Sequence, residues 1–79
     1  MEYTKEIIDT GVKYTFKDLR QTLYIIEQEK RSVSLYEVIG NRKILRTKLY
    51  SVSIHADFYT IYAKCLDKIA KRGRYDDIR

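Results

Sequence analysis

Ser32-Val33-Ser34-Leu35-Tyr36-Glu37-Val38-Ile39-Gly40-Asn41-Arg42-Lys43-Ile44-Leu45-Arg46-Thr47-Lys48-Leu49-Tyr50-Ser51-Val52-Ser53-Ile54 decides the fold, and it reads two ways. As helices, Ser34-Leu35-Tyr36-Glu37 has the Ser-x-x-Glu form of a capping box, followed by Val38 and Ile39 and stopped at Gly40. Asn41 then caps a second helix whose apolar set is Ile44, Leu45, Leu49 and Val52; Lys48 falls inside that arc and must lay its stem along it. As strands, Tyr50, Val52 and Ile54 alternate with Ser51 and Ser53, and Gly40-Asn41 can turn a hairpin. Against the strands, Ile44-Leu45 breaks the alternation, and the common hairpin pair is Asn-Gly rather than Gly-Asn. The helical reading is taken first, with a central β-hairpin in 32–54 as the alternative.

The flanks add to the helical expectation. Thr15-Phe16-Lys17-Asp18 reads as another capping box, with Tyr14 and Leu19 placed as its hydrophobic staple. Behind it Phe16, Leu19, Leu23, Ile26 and Lys30 recur at alternating intervals of three and four, which predicts a helix over 16–31. Towards the C-terminus Phe58, Ile61, Tyr62, Cys65, Leu66, Ile69 and Ala70 share one face, predicting a helix from about 55 to 72. Ser53 or His55 would cap it, Asp57 would lie in its first turn, Asp67 and Lys71 would pair, and Gly73 would end it. Residues 1–13 read either as a short β element running towards Tyr14, with Gly11 at a turn, or as an arm lying on the core through Ile7 and Ile8. The expected fold is mainly α: one domain over 1–79, with two long helices, 16–31 and 55–72, a short helical middle and a flexible tail at 74–79.

Seventy-nine residues with sixteen Lys and Arg against eleven Asp and Glu give a net charge of +5 on a folded, basic chain. One cysteine excludes a disulfide within the monomer, and Cys65 with His55 falls short of a tetrahedral zinc set. The N-terminus lacks the apolar run of a secretory signal, and no run approaches the length that spans a bilayer, so no membrane partner and a cytoplasmic location are expected. Cys65 lies in the middle of an apolar stripe, where a thiol packs rather than reacts. Ser51, Ser53, His55 and Asp57 are too close in sequence to be brought together as a triad. The three glycines lack phosphate-loop spacing. No enzyme and no cofactor are expected.

The basic residues say more. On a helical step of about 100°, Arg42, Lys43, Arg46, Thr47 and Tyr50 share a face opposite Ile44, Leu45 and Leu49. A short capped helix, Gly40 and a basic helix outline a helix-turn-helix, with Arg and Lys reaching phosphates or guanine edges. These five residues are the candidate nucleic-acid site. The expected function is a small accessory protein that binds nucleic acid, duplex DNA first, in transcription regulation. The alternative is an adaptor or inhibitor docking an acidic protein partner through the same basic surface, which the eight tyrosines suit. A homodimer is expected because a core this small leaves apolar surface to cover.

Overall fold

A computed structural model describes residues 2–53 and 55–77, with side chains followed to Lys71. Five strands precede one helix: β1 (Tyr3–Ile8), β2 (Gly11–Lys17), β3 (Leu23–Glu29), β4 (Ser32–Ile39), β5 (Arg42–Tyr50) and α1 (Phe58–Asp77). The strands form a single antiparallel meander in the order β1-β2-β3-β4-β5, with β1 and β5 at its edges. The mainly α expectation is therefore overturned, and helical is the wrong description of this chain. Of the two readings of 32–54 the hairpin is the one present, but no helix precedes it.

Each misread signal has a local physical cause. The Thr15–Asp18 box is the end of β2, and Asp18 caps a loop instead of a helix. Its carboxylate Oδ1 accepts from the amides of Arg20 and Thr22, both at 2.9 Å, while Gln21 takes a φ of 66°. The three-and-four spacing over 16–31 arises because β3 is a central strand with apolar residues on both faces, Tyr24 and Ile26 on one and Leu23 and Ile25 on the other.

At the β4–β5 turn Gly40 takes a φ of 61° and precedes Asn41, the order a type II′ hairpin wants. The broken alternation in β5 is a β-bulge. Leu35 faces Thr47 but Tyr36 faces Leu45, so Arg46 is the extra residue and the parity of the strand changes there. At the N-terminus the β reading holds, since Ile8 pairs with Gly11 across a two-residue turn.

The core lies between one face of the sheet and the helix. Tyr14 and Phe16 of β2, Ile26 of β3, and Val33 and Leu35 of β4 meet Phe58, Ile61 and Cys65 of α1. The strand residues alternate and the helix residues follow i, i+3, i+7, so each element brings one stripe to the seam. Burying such side chains contributes roughly 1.5–3 kcal/mol each. Rings dominate one end: Phe16 meets Tyr62 at 4.9 Å and Phe58 at 5.0 Å, both edge to face.

Asp57, not Ser53 or His55, caps α1. Its Oδ1 accepts from the Thr60 amide at 2.9 Å, which with the accompanying hydrogen bonds lowers the carboxyl pKa. The helix runs through Gly73 to Asp77, longer than expected at that end; residues 78 and 79 of the expected tail lie outside the described residues. Asp67 and Lys71 do pair, at 3.0 Å. From the helix Lys68 donates its ammonium to the main-chain carbonyl of Lys48, tying α1 to the outer edge of β5.

Candidate binding face

Covering one face of the sheet with α1 leaves the other face open, and its composition follows from the strand registers. One row across β2 to β5 is Lys17, Leu23, Val38 and Lys43. The next is Thr15, Ile25, Tyr36 and Leu45, and the next Lys13, Glu27, Ser34 and Lys48. Beyond these, Tyr50 stands beside Ser32. An antiparallel sheet with a solvated face usually makes that face polar. Here its middle is apolar, with lysines at both ends of two rows.

Two lysines accompany two tyrosines on this face. The Lys43 ammonium lies 4.4 Å from the Tyr36 ring centroid and 2.8 Å from Glu27 Oε2. The hydrogen bond to Glu27 raises the pKa of Lys43, against a small lowering from burial, so it stays charged. Lys48 sits 5.8 Å from the ring of Tyr50, which is 66% exposed. Lys13 pairs loosely with Glu6, at 3.9 Å.

The five residues expected to share a site are split by the strand geometry. Lys43 and Tyr50 are on the open face. Arg42, opposite Ile39, and Thr47, opposite Leu35, are on the face that α1 covers; Arg42 lies exposed near the hairpin tip, while Thr47 is buried. The Thr47 hydroxyl has no hydrogen-bond partner among the described residues, so it offers nothing to a ligand. Arg46, at the bulge, donates from Nε to Glu37 Oε1 at 2.8 Å. Among the described residues of 32–54 there is no helix, which removes the helix-turn-helix outline and with it the basis for a regulator of transcription.

Lys13, Lys17, Tyr36 and Lys48 were not legible as site residues on a helical reading, but a period of two through β2, β4 and the end of β5 picks them out. Elsewhere, burial pushes the Cys65 thiol up to about 11 despite the pull of Lys68, and its side chain is fully enclosed. Among the described residues no three His, Cys, Asp or Glu side chains converge as a metal site, and no helix is long and apolar enough to cross a membrane. Comparison of the chain with protein-family models, with curated proteins and with solved structures gives no match.

Proposed function

We propose that this chain is a non-catalytic binding protein that takes single-stranded nucleic acid across the open face of its sheet. The observation that carries the reading is the pairing of Lys43 with Tyr36 and Lys48 with Tyr50 on one uncovered face with an apolar middle. Unpaired bases can stack on tyrosine rings while ammonium groups follow the backbone, and the arrangement tolerates any base. A flat sheet face suits a strand whose bases are free to lie on it better than a duplex whose bases are stacked inside.

Anisotropy of a labelled single strand, against the same sequence as duplex, tests this. Single strands are expected to bind better, with a log–log salt slope of about −2 for roughly three phosphate contacts. Replacing Tyr36 or Tyr50 by Ala should cost about 1–3 kcal/mol of binding. Absence of binding at about 50 µM protein and low salt, where even non-specific complexes form, would reject the reading.

The second reading is an acidic protein partner docked on the same face. It is favoured by the continuous apolar middle, Leu23, Ile25, Tyr36, Val38 and Leu45, and by the neutralisation of Lys43 by Glu27. A flat salt response to nucleic acid, with tight binding of acidic peptides sensitive to Leu45→Glu, would promote it. The homodimer belongs to the same proposal: Leu66 and Ile69, one turn apart and exposed on α1, are where two copies would meet. Sedimentation velocity showing a monomer at micromolar concentration would reject that part. A cytoplasmic location is also proposed, on the single reduced thiol alone.

A further inference from the structure

The two edges of the sheet are unlike. At β5 the Lys48 carbonyl is occupied by the Lys68 ammonium, and the bulge at Arg46 breaks the run of regularly spaced backbone groups. Both are devices that stop another strand from adding there. At β1 neither is present: Tyr3–Ile8 pairs with β2 without a register shift, and among the described residues no strand pairs with its outer side. The side chains along this edge are specific. On the face shared with α1 stand Tyr3, Lys5 and Ile7, and on the open face Thr4, Glu6 and Ile8. Ile7 is 83% exposed. Glu6 has Lys13 beside it, but among the described residues Lys5 has no carboxylate within ion-pair distance.

A second copy of this chain is a poor occupant. Two β1 strands joined edge to edge are related by a two-fold axis normal to the sheet, which sets residues of the same face opposite each other. The registers with the longest overlap place Lys5 against Lys5 or Glu6 against Glu6, and like charges directly opposed destabilise a pair. Pairing of β1 with β5 of another copy meets the Lys68 and Arg46 obstacles. The edge thus rejects its own kind while leaving the Lys5 cation and the exposed Ile7 without a cross-edge neighbour, beside a Tyr3 ring that packs against α1 and is still partly exposed.

We propose that the β1 edge is a strand-addition site for an extended segment of another protein whose side chains on the helix side run apolar, acidic, apolar at alternate positions. The acidic residue lies opposite Lys5 and the apolar ones opposite Tyr3 and Ile7; main-chain hydrogen bonds supply affinity and this alternation supplies selectivity. At the Tyr3 end of the strand an open groove of about 750 Å³ is bordered by Tyr3 and, on the open face, by Thr4, Thr15 and Lys17. The main-chain edge of β1 is distinct from the Tyr36 and Tyr50 positions on the open face, and the proposal does not depend on how those are used.

The test is an amide-shift titration of the whole chain with a synthetic peptide, valine-lysine-glutamate-threonine-valine. Antiparallel to β1, it sets glutamate against Lys5 and lysine against Glu6. Saturable shifts confined to β1, β2 and the groove are expected. Lys5→Glu, at an exposed position, should weaken binding about fivefold, and a peptide with lysine at its centre should restore it to that variant. A peptide N-methylated at alternate residues, which cannot complete the ladder, should not bind. No shift at about 2 mM peptide, which would mean an affinity weaker than the millimolar range, overturns the proposal. So do equal binding of the N-methylated peptide, failure of the charge exchange, or shifts centred on Tyr36 and Tyr50.

Discussion

The ring of Tyr3 stacks on that of Phe58, with centroids 4.2 Å apart and planes 21° apart. Tyr3 opens the first strand and Phe58 opens the helix, so this stack, with the edge contact of Tyr3 to Tyr59 at 5.8 Å, fastens the edge of the sheet to its cover. Phe58 also meets Tyr14 at 5.3 Å and Phe16 at 5.0 Å. Removing it should cost about 3–5 kcal/mol by transfer and cavity terms. In Phe58→Ala, amide hydrogen exchange should speed up in β1 before it does in β3 or β4; uniform loss of protection across the sheet would contradict this anchoring.

Gly11 and Gly40 separate two uses of glycine. A Cβ on Gly11 would run into the main-chain carbonyl of Gln28 on the neighbouring strand, whereas one on Gly40 would meet open space. Gly40 needs only its φ of 61°. Gly40→Ala is expected to cost about 1 kcal/mol in urea unfolding, and Gly11→Ala about 3 kcal/mol or more, because the backbone must move. The reverse order would mean that the β1–β2 turn relaxes freely.

Thr47 gives a test with the opposite sign. Its buried hydroxyl has no partner among the described residues, so Thr47→Val replaces an unsatisfied group by an isosteric apolar one. A gain of about 1 kcal/mol is expected. Nucleic-acid affinity should not change, since the side chain lies on the helix side. A loss of affinity without a change in stability would return Thr47 to the binding site.

Alkali should unfold this chain early. Burial raises the pKa of Tyr14, Tyr24 and Tyr62 and lifts the Cys65 thiol to about 11. The unfolded chain releases these protons at lower pH than the folded one. The stability these groups contribute is therefore complete below their ordinary values and is lost as pH rises through the raised ones. Thermal midpoints should fall steadily from about pH 9 upwards, and Cys65→Ala should make the fall shallower. Native protein should also resist alkylation at pH 8 and react once unfolded.

At the acid end the sign reverses. Asp57 has a lowered pKa because it accepts hydrogen bonds at the start of α1. Its contribution is present above the unfolded carboxyl value and is lost as pH falls through the lower folded one. Helix signal should drop on acidification in the native chain, and less so in Asp57→Asn, whose amide caps without titrating. An identical acid profile for both would remove Asp57 from the account.

The C-terminal helix was legible because Phe58, Ile61 and Cys65 repeat on a helical period with nothing to compete. The sheet was not, for reasons that lie in particular residues. A central strand with Leu23, Tyr24, Ile25 and Ile26 in succession has no alternation to detect, because both faces want apolar side chains. One extra residue, Arg46, reverses the parity of β5 halfway along, so a period of two fails although every residue is in a strand. Asp18 stabilises a tight loop with the same side-chain chemistry that caps helices. The candidate site carries the wrong period: a helix puts Arg42, Lys43, Arg46, Thr47 and Tyr50 on one face, whereas in β5 Lys43 and Tyr50 share the open face, Arg42 and Thr47 lie on the helix side and Arg46 is the bulge residue.

A meander joined mostly by two-residue turns can zip in the order in which it leaves the ribosome, hairpin after hairpin. Phe58, Ile61 and Cys65 are made after all five strands, and until they arrive the inner face of the sheet, with Phe16, Ile26 and Leu35, is as bare as the outer one. A nascent chain paused before residue 58 is thus a sheet greasy on both sides, with an edge ready to pair. The hazardous interval runs from the synthesis of β5 to that of α1, and release from it depends on twenty residues of helix.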